Sequence, residues 1–102
     1  MVNNASDVYT IIKENSNQLQ NYGVIKLGLF GSFVRSDNTS NSDIDLLVEF
    51  AKGKKSFKNY MATANFAEKK LGRKVDLITV ESLSPHIAPH ILKEVQYVQI
   101  AS

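Results

Sequence analysis

Two aspartates one residue apart, Asp43 and Asp45, open the apolar run Ile44-Asp45-Leu46-Leu47-Val48-Glu49-Phe50. Side chains alternate along a strand, so both carboxylates point to one face and Ile44 to the other. Acids that close raise each other's pKa unless a cation lies between them. Mg²⁺ answers that need: it takes oxygen ligands, keeps several waters, and is held by one or two carboxylates together with the phosphates of a substrate. A phosphate-bearing substrate follows from the pattern.

Gly31-Ser32 ends the preceding apolar run, Leu27-Gly28-Leu29-Phe30. Glycine lets the backbone turn sharply and approach a phosphate, and the serine offers an N–H and a hydroxyl. A short helix starting at Ser32 would add free N–H groups, and Arg35, one turn on, a fixed positive charge. Arg35 suits either a phosphate or the task of fixing the loop. Each part alone also has a plain structural reading, Gly-Ser as a turn and Asp-x-Asp as a solvated strand edge. Their coincidence at this separation is the specific feature. Ser42, just before the first carboxylate, suits either the nucleotide site or the end of the turn. Asp76 is an acid inside the apolar run Val75-Asp76-Leu77-Ile78, where an unpaired buried carboxylate is costly. It must pair with a base or lie beside Asp43 and Asp45.

Gly31-Ser32-x-x-Arg35, a short loop, then Ser42-Asp43-x-Asp45-Leu46-x-Val48 resembles the signature of the polymerase-beta-like nucleotidyltransferase superfamily. Chain length directs the resemblance to its minimal branch, the MntA-like antitoxins paired with HEPN-domain toxins, and it spans about Val24 to Val98. One departure stands out: Ser36-Asp37 follows the arginine where those proteins usually carry Gly-Glu. The resemblance implies a small mixed α+β sheet with helices packed on it. It implies that Asp43 and Asp45 hold the metal ions, and that Asp76 completes the site and accepts the proton of the attacking hydroxyl. Gly31 and Ser32 would hold the β- and γ-phosphates of ATP. The implied reaction is transfer of AMP from ATP to a tyrosine of a cognate HEPN toxin, helped by two Mg²⁺ ions about 4 Å apart.

The elements that position these residues are legible in outline. Ser6 or Asp7 can cap a first helix, with Val8, Ile11, Ile12, Asn15 and Leu19 at helical spacing and Gly23 as its stop. Val24–Phe30 is predicted as the first strand, buried on both faces, and Ile44–Phe50 as the second. Between them, residues 37–41 have the composition of a loop. Phe57, Tyr60, Met61, Ala64, Ala67 and Leu71 predict a helix over Ser56–Leu71, closed by Gly72, and Val75–Val80 a third strand. Ser82-Leu83-Ser84-Pro85 reads as a helix start, restarted at Pro89 and running over His90–Val95. His86 and His90 are four apart, but Pro89 between them weakens any case for zinc. The last stretch, 95–100, suits a helix end, an edge strand or a docking tail.

Composition narrows the function classes. A chain of 102 residues, 43% hydrophobic, is expected to be one domain over residues 1–102 with a modest core. No cysteine is present, so disulfide and thiolate-metal frameworks are excluded, in keeping with a cytoplasmic protein. The opening residues lack the pattern of a signal peptide, and no apolar run is long enough to span a bilayer. A net charge of +2 is too weak to argue for direct nucleic-acid binding. Lys52, Lys54, Lys55 and Lys58, and again Lys69, Lys70, Arg73 and Lys74, cluster as solvated surfaces or as a basic rim. The length leaves no room for a separate acceptor domain, so the acceptor is expected on another molecule; the resemblance implies a hetero-oligomer with the toxin. Two other functions remain open on the residues alone: an antitoxin that acts by contact only, and a nucleotidyltransferase for a small molecule or nucleic acid bound by a separate chain.

Overall fold

The central strands lie where the apolar runs predict them, β1 at Val24–Phe30 and β2 at Ile44–Phe50. The structure is a computed structural model that describes residues 2–101. A third strand, β3 (Val75–Thr79), and a fourth, β4 (Gln96–Gln99), complete a mixed sheet in the order β3-β2-β1-β4. β1 runs antiparallel to β2 and β4, whereas β2 and β3 are parallel. A parallel pair needs a crossover, and α4 (Phe57–Leu71) provides it. Ser56 caps that helix by accepting from the Asn59 N–H, and Gly72 ends it in the left-handed conformation.

One sheet face carries Leu27, Leu29, Ile44, Leu46, Val48, Val75, Leu77 and Val98, all buried in a single core with Val8, Ile12, Leu19, Ala67 and Leu71 of the helices. The helices on that face are α1 (Ala5–Glu14), α2 (Ser16–Asn21) and α4. The opposite face carries Lys26, Gly28 and Phe30 of β1, level with Glu49, Leu47 and Asp45 of β2. Asp76 and Ile78 of β3 continue that row. Burial along β1 is therefore uneven rather than equal on both faces: Ile25 and Lys26 are only partly covered.

Three local expectations are corrected. The first helix is capped by Asn4, whose side chain accepts from the Asp7 N–H; Asp7 instead accepts from the Asn3 N–H. That helix also breaks at Asn15, where Asn15 Nδ2 donates to the Ile11 carbonyl and Ser16 Oγ to that of Lys13. Such side chains compete with the helical ladder. Finally, no helix starts at Pro85: residues 85–87 form a turn, and α5 (Ala88–Glu94) begins with Pro89 in its first turn, where its missing N–H is harmless. The C-terminal stretch is the edge strand among the options open to it. Among the described residues, no helix is long and apolar enough to cross a membrane.

Candidate active site

The parallel register pairs Asp45 of β2 directly with Asp76 of β3. Opposed residues of neighbouring strands share a face, so both carboxylates stand on the side away from the helices. Asp43 lies just before β2, two residues from Asp45, and is exposed. Asp45 is half-buried and Asp76 exposed. Burial first, then the charges of Asp76 and Asp43, push the Asp45 carboxyl up to about 6, with Arg35 pulling the other way. The smaller part of this push, the repulsion from Asp76 and Asp43, is what a cation would relieve.

A Gly-Ser turn faces Asp45. Gly31 follows β1 at φ +80°, and a Cβ there would come within 2.2 Å of Asp45 Oδ2. Only glycine lets the backbone pass the carboxylate so closely. Ser32 begins α3 (Ser32–Arg35), and among the described residues its hydroxyl has no protein partner. Ser36 then ends the helix with φ +63°. Ser42 completes the loop: its Oγ accepts from the Thr39 N–H at 2.8 Å.

Two residues matter here that sequence reasoning did not single out. Glu94, the last residue of α5, accepts from the Gly31 N–H at 2.7 Å and from Arg35 Nη1 at 3.1 Å. The Gly31 N–H is thus already engaged, and Arg35, which also reaches Asp37 at 3.4 Å, is tied to the loop. Arg73 is no part of a solvated rim. Its guanidinium donates to the carbonyls of Val2, Thr39, Ser40 and Ser42 and lies 5.1 Å from the Phe33 ring centre. It therefore holds the loop that delivers Asp43. Glu94 meets its partners across 63 and 59 residues, a pairing no local pattern announces. Arg73, directly after a helix-ending glycine, could have been suspected only as a helix-end cation.

The donor set suits a hard cation, since it offers carboxylate oxygens and no sulfur. Among the described residues, however, no three acidic, histidine or cysteine groups come together as a ready-made metal cage. The arrangement fits an ion that keeps waters and shares its sphere with a substrate's phosphates. His86 and His90 are both exposed and lie in a turn and in α5. A concavity of about 360 Å³ lies elsewhere, lined by Lys55, Phe57, Tyr60, Leu77, Ile78, Thr79 and Ser82. The carboxylates stand on an open face instead.

Acids paired across strands and set against a Gly-Ser turn on a small mixed sheet are the arrangement expected of a nucleotidyltransferase, and comparison with known proteins gives that class. The chain belongs to the nucleotidyltransferase-domain family, whose model matches residues 8–98, and within it to the minimal, MntA-like branch. It is 34% identical over 93 residues to the protein adenylyltransferase MntA of Thermococcus cleftensis, covering 90% of this chain and 93% of that one. A candidate protein adenylyltransferase of Methanocaldococcus jannaschii is 38% identical over 96 residues, covering 91% and 96%. Among solved structures, a candidate minimal nucleotidyltransferase matches with a TM-score of 0.70 at 24% identity, over 86% of this chain and 93% of that one. The complex of a tri-AMPylated Shewanella oneidensis HEPN toxin with its MNT antitoxin matches with a TM-score of 0.60 at 18% identity, over 92% and 73%. Those two likenesses are of fold.

Proposed function

We propose that this chain is a Mg²⁺-dependent protein adenylyltransferase that moves AMP from ATP to a tyrosine hydroxyl of a HEPN-domain toxin, and so acts as its antitoxin. The observation that carries the reading is the Asp45–Asp76 pairing opposite the Gly31-Ser32 turn. The relative named protein adenylyltransferase MntA supports the donor chemistry, and the AMPylated toxin complex supports the acceptor class. In this reading residues 1–102 work as one catalytic domain, bound to the toxin, in the cytoplasm where ATP is available.

Asp43, Asp45 and Asp76 would hold Mg²⁺, which when bound neutralises the phosphates and favours in-line displacement. The chain's own residues do the rest. Ser32 donates to the β- and γ-phosphates, and Gly31 brings that serine close by having no side chain in the way. Asp76, the more exposed of the paired acids, takes the proton from the attacking tyrosine hydroxyl. The tyrosine oxygen then bonds to the α-phosphorus as the bond to the bridging oxygen breaks, and pyrophosphate leaves with that oxygen. Ser42 supports the loop that places Asp43 and has its hydroxyl engaged there.

Incubating the purified chain with ATP labelled at the α-phosphate, Mg²⁺ and a lysate containing the toxin tests the acceptor. Label on the toxin's tyrosine is the expected outcome. Label found only on RNA or on a metabolite would overturn the protein-acceptor reading.

A further inference from the structure

One side chain joins the C-terminal helix to the nucleotide turn. Glu94 grips both ends of α3, taking the Gly31 N–H at its start and the Arg35 guanidinium at its end, with Nη1 3.1 and 3.3 Å from the two carboxylate oxygens. The segment it grips is flanked by two positive-φ residues, Gly31 at +80° and Ser36 at +63°, the second a strained conformation for a residue with a side chain. Such conformations persist where surrounding structure over-determines them. Glu94 itself is well anchored. A Cβ on Gly28 would meet Val95 Cγ2 at 2.4 Å and the Tyr97 ring at 2.9 Å, so the residues after Glu94 press directly on β1. β4 then pairs with β1, setting Tyr97 opposite Gly28. The Glu94 side chain is 26% exposed, against 65% for Glu81 in the surface pair with Lys55.

We propose that Glu94 is a positioning residue for the nucleotide turn, its carboxylate holding Gly31-Ser32 against the Asp45 face without touching the reacting atoms. This rests on the nucleotidyl-transfer reading. ATP with Mg²⁺ is the ligand whose placement it controls. A charge-assisted bond is stronger than a neutral one, so losing the carboxylate loosens the turn that would receive the nucleotide.

The test separates KM for ATP from kcat in the full chain, with the toxin as acceptor, for wild type, Glu94→Gln and Glu94→Ala. Titration of wild type with ATP and Mg²⁺ comes first. Glu94→Ala is expected to raise KM about tenfold with kcat near wild type, the scale of one lost charged hydrogen bond. Glu94→Gln should raise it less, because the amide oxygen still accepts from the Gly31 N–H. An unchanged KM in a folded Gln or Ala variant overturns the proposal, and so does a lowered KM, which would mean the carboxylate competes with nucleotide. Loss of fold in both variants overturns it too, leaving Glu94 a stability residue only. In those outcomes wild type still transfers AMP; a wild type that neither binds ATP nor transfers sinks the transfer reading and this proposal together.

Discussion

Asp45 shows the trade between stability and chemistry most clearly. Its carboxyl is raised to about 6 by burial and by its acidic neighbours, above the ordinary aspartate value of 3.8. A raised folded-state pKa means that Asp45 favours the fold below about 3.8 and that this contribution is lost as pH rises through about 6. At pH 7.5 in metal-free buffer the ionised group therefore weakens the fold. Asp45→Asn should stabilise it there by on the order of 1 kcal/mol, allowing for solvent screening at this half-buried site, or several degrees in Tm. Thermal melts at pH 7.5 and near pH 4 check this: the gain should be present at the first and shrink at the second. Gly31 carries the opposite expectation. Its φ is positive and an added Cβ would lie 2.2 Å from Asp45 Oδ2, so Gly31→Ala should cost about 1–3 kcal/mol in chemical denaturation.

The elements that place these residues were legible to different degrees, and the reason is range. β1 and β2 could be bounded because their apolar runs end in strong punctuation, Gly31-Ser32 on one side and the polar residues 37–41 on the other. α4 could be read because Ser56 and Gly72 mark its ends. The break at Asn15 was hidden because apolar spacing continues across it to Leu19, while the cause is a side chain bonding its own backbone. Among site residues, the Asp43/Asp45 pair and the turn could be read locally, but placing Asp76 beside them needed the parallel crossover. Arg73 and Glu94 were invisible for the same reason, since their partners lie far away in the chain. Arg73 gathers carbonyls from residue 2 and from the 39–42 loop. Arg73→Ala should thus cost about 2 kcal/mol in denaturant unfolding, more than an ordinary surface substitution.

At the scale of the molecule, the sheet divides the work between its faces. One is filled by α1, α2 and α4 and supplies the core; the other carries Asp45 and Asp76, where the proposed chemistry would take place. The proposed chemistry needs metal, whereas the core is built from apolar side chains on the other sheet face. EDTA should abolish transfer while leaving Tm nearly unchanged, and ATP with Mg²⁺ should raise Tm by mass action. A large fall in Tm with EDTA would instead indicate a structural metal. The central claim is that the carboxylate pair performs the transfer, and the most direct measurement is α-phosphate label passing from ATP to the toxin with Asp45→Asn in place of wild type, the two matched for fold by circular dichroism. The account predicts no label on the toxin; labelling at the wild-type rate by the folded Asn variant would contradict it.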